Sequence, residues 1–444
     1  MSSPKFTSPV GTEDFLPKDH RHFNFVKSIL KHRFRQAGFK RIDLPVFEDA
    51  ELFHESLGVD TEIIKRELFT FDDPRGKNSY SLRPELTTGI VRSFIEHEMY
   101  NEALPVELYN IGRCFRFERP QSRTKREFRQ IGCEILGETD PAIDAQIIYL
   151  GHRILSDLNI IDRCELKINT IGNREDRAKF LSALESFYAG KERSLSPRSR
   201  EKLEQKKYLE LLNPLTENEE ILASMAPKIT DYLSPESKAF FEQMLTYLNS
   251  FGIEYTMSPG LVRPLDYYTH TVFEFREKNS KNKILVGGRY DGLIKKLGGP
   301  DLGGCGFAAG AERLIGIMQE QGVEIPYSES LQIFVAATGV IAKKEALPLL
   351  VQLREHGFNA VGVLGKTKME DQLNRARKFN VPYTILMGDL EARNNEVLVR
   401  DMEKGKSTKI SLDNIVSHME ELLGKPPKFE SIDDYLAKMQ KKKF

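Results

Sequence analysis

A chain of 444 residues is too long for one ordinary domain, and 40% apolar against 29% charged residues allows real cores beneath a water-compatible surface. Its 65 lysines and arginines balance 65 aspartates and glutamates, so any nucleic-acid partner has to be met by a local basic face, not by net charge. The four cysteines form no CxxC pair and the nine histidines no HExxH, which argues against a zinc site, a disulfide framework or a histidine-held catalytic metal and fits buried reduced thiols.

The N-terminal stretch MSSPKFTSPVGTEDF lacks the charged-then-apolar pattern of a signal, and no apolar run approaches the roughly 20 residues that span a bilayer. A cytoplasmic protein with no membrane partner is therefore expected. Phe23, Val26, Leu30 and Phe34 recur at helical spacing between Lys18 and Ala37, and Gly38 is a natural stop. Lys40 to Glu48 reads as one strand. Pro45 has no N–H to donate, so that strand belongs at an edge or an interface. Residues 105–137 read as two antiparallel strands around a charged loop. Residues 171–250 look helical and highly charged. Strand patterns return at Leu261 to Phe275 and at Lys283 to Val286, and Gly303 to Gly310 leads into a helix that carries Glu312 and Arg313.

After Ile325 strands alternate with helices. Leu331–Ala337, Ala360–Leu364 and Tyr383–Met387 read as strands. Lys343–His356 and Lys368–Phe379 read as helices, and a strand pair and a last helix run to about Leu423. This is the pattern of a small, mostly parallel α/β domain. The expected domains are thus 1–325 with a helical insertion at about 171–250, 326–423, and a polar tail over 424–444.

Chemistry-bearing residues gather in five places. On the hairpin, Arg116 and Glu118 share one face of the first strand, and Phe128, Gln130 and Glu134 share a face of the second. An arginine on a rigid strand suits phosphate, a phenylalanine beside it can stack a purine, and Gln130 and Glu134 can hold a cationic amine. An ordinary solvated hairpin with surface salt bridges carries the same residue types. In Leu82–Gly89, Pro84 keeps Arg83 extended, so Glu85 and Thr87 are expected to alternate onto one side, where carboxylate and hydroxyl suit an ammonium group. Arg263, in LVRPLDYYTHTVFEF (261–275), would need a buried partner if it were only structural. GGRYDG (287–292) reads as a turn whose glycines let backbone approach a ligand, and GCGFAAGAERL (304–314) as a glycine-rich strand entering a helix.

The string FRFERPQSRTKREFRQIGCEILG, residues 115–137, resembles motif 2 of the class II aminoacyl-tRNA synthetases and is closest to their histidine-specific branch. Two departures are Thr124–Lys125–Arg126, where the family often has Gly-Arg-Tyr, and Arg129, where a histidine is common. LRPELTTG, LVRPLDYYTHTVFEF and GGRYDG resemble further stretches of that branch, with Leu86 and Pro264 each standing in for a glycine, and GCGFAAGAERL resembles motif 3. The Pro45 segment resembles motif 1, GTEDFLP (11–17) the family's N-terminus, and the last unit its anticodon-binding domain. The resemblance covers nearly the whole chain to about Leu423.

The fold it implies is an α+β catalytic domain on an antiparallel sheet with a helical insertion, followed by an α/β anticodon-binding domain. The activity it implies is histidine activation with ATP and transfer to tRNA(His), with Mg2+ accompanying the ATP and a homodimer formed through motif 1. Arg116, Arg263 and Arg313 inherit the catalytic roles, and with Glu118 and Phe128 the ATP site. Glu85, Thr87, Gln130, Glu134, Tyr268 and Tyr290 inherit the histidine pocket. Gln121, Arg123, Lys366 and Lys368 inherit tRNA contacts, with Glu370 and Asp371 departing from the lysines that many relatives carry there. A synthetase-like regulatory subunit or a tRNA-sensing module would share parts of this frame. The retained arginines and C-terminal unit favour the ligase over the first, and the lack of a kinase segment favours it over the second.

Overall fold

The structure is a computed structural model and describes residues 5–58, 61–118, 125–262, 267–325, 330–362, 365 and 368–425. It divides into two units, Met1–Glu324 and Ile325–Phe444.

In the first unit, helix α1 (Pro17–Gln36) starts where Pro17 takes a position that needs no N–H, and Asp19 accepts from the Leu16 N–H at 3.0 Å. Strands β1 (Lys40–Arg41) and β2 (Phe47–Asp49) follow, then α2 (Ala50–Leu57), β3 (Thr70–Asp72), β4 (Ser79–Leu82) and α3 (Thr87–Glu96). The long hairpin strands are β5 (Val106–Phe115) and β6 (Glu127–Leu136). After α4 (Pro141–Asp157) and β7 (Cys164–Thr170) come the helices α5 (Arg174–Tyr188), α6 (Pro197–Glu204), α7 (Tyr208–Leu211), α8 (Glu217–Ser224) and α9 (Pro235–Ser250). Strands β8 (Thr256–Met257), β9 (Thr269–Glu277) and β10 (Lys283–Arg289), helix α10 (Leu293–Lys296), strand β11 (Gly304–Gly310) and helix α11 (Ala311–Glu320) complete it.

Eight strands form one sheet in the order β1-β5-β6-β11-β10-β9-β7-β8, antiparallel except where β1 meets β5 and β7 meets β8. A second sheet, β2-β4-β3, is three-stranded. On the main sheet, Gln130, Gly132, Glu134 and Leu136 of β6 stand opposite Gly310, Ala308, Gly306 and Gly304 of β11. Directly opposed residues share a face, so the alternation lays a strip of very small residues beside Gln130 and Glu134. Ile131, Cys133, Phe307 and Ala309 point to the other face and are buried, where α1, α4 and α11 cover the sheet.

Several expectations are corrected. Lys40 to Glu48 is two edge strands in two sheets. The chain bends at Leu44–Pro45, whose carbonyls accept from Arg83 Nη1 at 2.8 and 2.9 Å. Glu85 and Thr87 do not alternate on an extended segment, because Thr87 opens α3 and Glu85 caps it. The strand expected from Leu261 begins at Thr269. GGRYDG is not all turn: β10 runs through Arg289. A Cβ at Gly287 would reach 2.5 Å from the Phe273 ring, and one at Gly288 would reach 2.5 Å from the Thr271 carbonyl. These glycines are therefore required by neighbouring protein atoms.

The second unit holds β12 (Ile333–Ala337), α12 (Val340–Glu355), β13 (Ala360–Gly362), α13 (Met369–Lys378), β14 (Tyr383–Met387), α14 (Asp389–Arg393), β15 (Glu396–Asp401), β16 (Ser407–Ser411) and α15 (Ile415–Leu423). Its sheet order is β13-β12-β14-β15-β16, parallel for the first three strands and antiparallel for the rest. Gln372, fully buried on α13, accepts from the Ala337 N–H at 3.0 Å and donates to its carbonyl at 2.8 Å, which completes the end of β12. The short helix α14 has no strong periodicity and was not expected. Its Asp389 accepts the Ala342 N–H in the first turn of α12 at 3.0 Å.

Candidate functional site

The sheet strip is bare because the side chains of Glu134 and Tyr290 lie against it. A Cβ at Gly306 would overlap the Glu134 carboxylate, and one at Gly304 would overlap the Tyr290 ring. Glu134, 1% exposed, accepts from Thr87 Oγ1 at 2.7 Å and from the Tyr290 hydroxyl at 2.6 Å. Burial raises its carboxyl to about 8, pushed further by Glu85 and opposed by the two hydroxyl donors.

Around Glu134 the pocket is built from several elements. Glu85 accepts the Thr87 and Thr88 N–H groups at 2.6 and 2.8 Å, which charges and caps the start of α3. Gln130 Oε1 accepts the Leu86 N–H at 2.9 Å. The Tyr267 ring lies 4.7 Å from Tyr268 and 5.8 Å from Tyr290, the second contact edge-to-face. Burial holds the Tyr267 and Tyr290 hydroxyls well above the usual phenol range, so both remain donors. Hydrogen bonds thus join Thr87, Glu134 and Tyr290, Glu85 and Gln130 meet the start of α3 beside them, and Tyr268 joins through Tyr267.

A second group lines an adjoining cleft with Arg116, Glu118, Lys125, Phe128, Gly310, Glu312 and Arg313. β5 ends at Phe115, so Arg116 lies just past the strand, although its N–H still pairs with the Arg126 carbonyl at 2.9 Å. Arg116 Nε donates to the Pro84 carbonyl at 2.9 Å, and its guanidinium carbon stands 5.4 Å from the Phe128 ring centre. Burial raises the nearby Glu67 carboxyl, reinforced by Glu118 and opposed by Arg116. The two groups join through Pro84, which precedes Glu85, and through β6, where Phe128 and Gln130 are alternate residues. The arrangement can hold an anion and an aromatic ring in the cleft and a compact hydrogen-bonding group in the pocket.

Arg263, Gln121, Arg123 and Lys366 lie outside the described residues. Lys368 is in the second unit, exposed immediately before α13, with Glu370 and Asp371 exposed in that helix's first turn.

Sequence reasoning missed two elements. Arg289 is fully buried, donating from Nε and Nη2 to Asp144 at 2.9 and 2.6 Å and from Nη1 to Asp291 and the Glu138 carbonyl, both at 3.0 Å. It was read only as part of a ligand-approaching turn, and nothing in the sequence links it to Asp144. Tyr267, not singled out in the sequence, packs against Tyr268 and Tyr290. All four cysteines are free and buried. Among the described residues no group of three or more His, Cys, Asp and Glu is placed to hold a metal, and no helix is long and apolar enough to cross a membrane.

The family model for histidyl-tRNA synthetase matches residues 11–314, and that for an anticodon binding domain matches residues 332–422. The histidine–tRNA ligase of Halothermothrix orenii is 36% identical over 419 residues, which cover 94% of this chain and 99% of that protein. The histidine–tRNA ligase of Lactiplantibacillus plantarum is 35% identical over 428 residues, 95% of this chain and all of that one. The crystal structure of apo Staphylococcus aureus histidyl-tRNA synthetase superimposes with a TM-score of 0.74 at 34% identity, covering 94% of this chain and 100% of that chain. A Bacillus halodurans structure described as an ATP phosphoribosyltransferase regulatory subunit/histidyl-tRNA synthetase shares the fold, with a TM-score of 0.64 at 21% identity.

Proposed function

The chain belongs to the histidyl-tRNA synthetase family, and from that membership and the two-part site we propose that it is a histidine–tRNA ligase of class II. The observation that carries this reading is the buried Glu134, held between Thr87 and Tyr290 on the strand that also carries Phe128 of the cleft lined by Arg116 and Arg313. A histidine side chain needs a partner for each ring nitrogen, and a closed pocket that supplies them rejects shapes that leave a partner unpaired. Glu134, Tyr268 and Tyr290 serve the imidazole. Glu85, Thr87 and Gln130 serve the ammonium group.

In the first step a histidine carboxylate oxygen attacks the α-phosphorus of ATP, the bond to the β-phosphate breaks and pyrophosphate leaves. The protein's part is to align two anions and neutralise them. Arg116 and Arg263 face the α-phosphate, Arg313 the γ-phosphate, and Phe128 the adenine. Mg2+ suits a cleft of this kind, since it is commonly held by substrate phosphates and one or two carboxylates; Glu118, one of the carboxylates that line it, would help to hold the ion. When bound, the ion adds positive charge at the departing pyrophosphate. In the second step the terminal adenosine hydroxyl of tRNA(His) attacks the aminoacyl carbonyl and AMP leaves, its phosphate oxygen taking the hydroxyl proton. Gln121 and Arg123 contact the RNA's acceptor end, and Lys366 and Lys368 its backbone at the anticodon end. Buried free thiols fit a cytoplasmic location.

Histidine-dependent exchange of pyrophosphate into ATP tests the assignment. Exchange is expected with histidine alone among the amino acids. Exchange with another amino acid and none with histidine would sink the reading.

The partner in a homodimer is suggested by the β2-β4-β3 sheet. There Phe47, Phe71 and Tyr80 cluster with ring centres 5.5–5.9 Å apart, with Phe47 and Phe71 50% and 43% exposed and Val46 44% exposed. Aromatic rings left open beside Pro45 suit coverage by a second copy. Light scattering at micromolar concentration is expected to give twice the chain mass, and Phe47→Asp to shift it toward the chain mass. A monomer for the unsubstituted protein would remove the dimer.

A further inference from the structure

Arg129 points to the face of β6 opposite Phe128 and Gln130, and its contacts are not used by the chemistry above. β11 ends at Gly310, opposite Gln130, so the Arg129 N–H falls beyond the β6–β11 ladder. The Glu312 carboxylate takes it instead. That N–H donates to Oε1 and Oε2 at 3.1 and 3.0 Å, and Arg129 Nη1 donates to Oε1 at 3.1 Å. The Arg129 guanidinium carbon also lies 4.0 Å from the Phe15 ring centre and 5.5 Å from that of Phe23. Phe15 is held edge-on by His20 and Phe23, with ring centres 4.7 and 5.4 Å away. The ion pair's side chains are 15% and 26% exposed, so water and salt screen it less than an open surface pair.

The segment ahead of α1 also lies along this hairpin. The Gly11 carbonyl accepts the Arg126 N–H at 2.8 Å, the Val10 carbonyl accepts from Arg126 Nη1 at 3.2 Å, and Glu13 pairs with Lys125 at 2.6 Å. Gly11 has a φ of +87°, and a Cβ there would stand 2.7 Å from Arg126 Cγ, so a residue without a side chain is required. This N-terminal strap therefore grips the stem of the hairpin at Lys125, Arg126 and Arg129.

Arg129 is flanked in the chain by Phe128 and Gln130, one in the anion cleft and one in the pocket. Glu312 precedes Arg313 in the first turn of α11. One carboxylate thus ties the strand that carries the aromatic platform to the helix start that carries the far arginine. We propose that Phe15, Arg129 and Glu312 form a positioning clamp that sets the width of the cleft for a nucleoside triphosphate. The inference rests on the reading of that cleft as the ATP site. Phe15 and Arg129 do not line the cleft; Glu312 does, so its substitution also removes a negative charge facing the phosphates, and Phe15→Leu is the variant that isolates the clamp. All three act by fixing the backbone from which Phe128 and Arg313 reach the nucleotide.

ATP titration by calorimetry without histidine, together with the Michaelis constants for ATP and histidine in pyrophosphate exchange, tests the clamp. Phe15→Leu removes the ring face and is expected to weaken ATP about fivefold, the scale of one cation–π contact. Glu312→Gln removes the charge and is expected to weaken it about tenfold. Phe15→Tyr keeps the ring and should bind ATP as the unsubstituted chain does. The KM for histidine should stay within about a factor of two, with melting temperatures confirming folded protein. Unchanged ATP affinity in Phe15→Leu overturns the clamp, as does equal weakening in Phe15→Leu and Phe15→Tyr. Loss of histidine and ATP affinity in step also overturns it. A chain that binds ATP but exchanges pyrophosphate with no added histidine effect fails as a histidine ligase, and the calorimetry still decides the clamp.

Discussion

Glu134→Ala is expected to lower kcat/KM for histidine in pyrophosphate exchange by about three orders of magnitude, with ATP affinity little changed. The substitution removes the acceptor of the buried Thr87 and Tyr290 hydroxyls together with the partner proposed for the imidazole. Glu134→Gln keeps the shape and a carbonyl acceptor, so its loss should be about ten- to a hundredfold. The same group makes stability depend on pH. Its carboxyl sits near 8 when folded against an ordinary 4.5, so the folded chain holds a proton that the unfolded chain releases. The associated stability is fully present below about pH 4.5 and is lost as pH rises through about 8. The slope between is at most about 1.4 kcal/mol per pH unit from this one group. Chemical denaturation across that range should show the slope in the unliganded protein and lack this component in Glu134→Gln. Identical pH profiles for the two proteins would mean that the carboxyl ionises normally. A Glu134→Ala enzyme with near-normal kcat/KM for histidine would take Glu134 out of the pocket's chemistry.

The second large effect is on folding. Arg289→Met should destabilise the first unit by about 3–5 kcal/mol, because it leaves the fully buried Asp144 carboxylate without its cation. In a unit of this size that corresponds to a fall on the order of 10 °C in Tm. The double substitution Arg289→Met with Asp144→Ala should recover part of the loss, since no buried charge then remains alone. Thermal unfolding decides it. A single substitution that costs less than about 1 kcal/mol, or a double mutant as unstable as the sum of the singles, would show that the pair is not the tie between β10 and the start of α4.

How far the chain could be read depended on the range of the interaction. Helix α1 was legible because its apolar spacing and its stop at Gly38 are local. The hairpin was legible because alternate residues of β6 share a face whatever lies opposite. That alternation placed Phe128, Gln130 and Glu134 together, and the motifs placed Arg116 and Arg313 with them. Local rules failed where a distant partner intervened. The expected strand over Lys40 to Glu48 splits because Arg83 draws in the carbonyls of Leu44 and Pro45. Glu85 and Thr87 were read as extended, but β4 ends at Leu82 and the chain turns into α3 at Thr87, where the Glu85 carboxylate caps two amides.

The sequence by itself thus determined which side chains are available, the face on which each strand residue stands, and the α/β alternation after Ile325. Only the tertiary structure decided what state those side chains take. The Glu134 carboxyl is raised by burial among elements far apart in the chain, against the donating hydroxyls of Thr87 and Tyr290, 47 and 156 residues away. Arg289 is a structural cation because it meets Asp144 across 145 residues, and Arg129 becomes a clamp because it meets Glu312 across 183. Desolvation and charge pairing depend on separation in space, and a pattern of neighbours along the chain carries no measure of that separation.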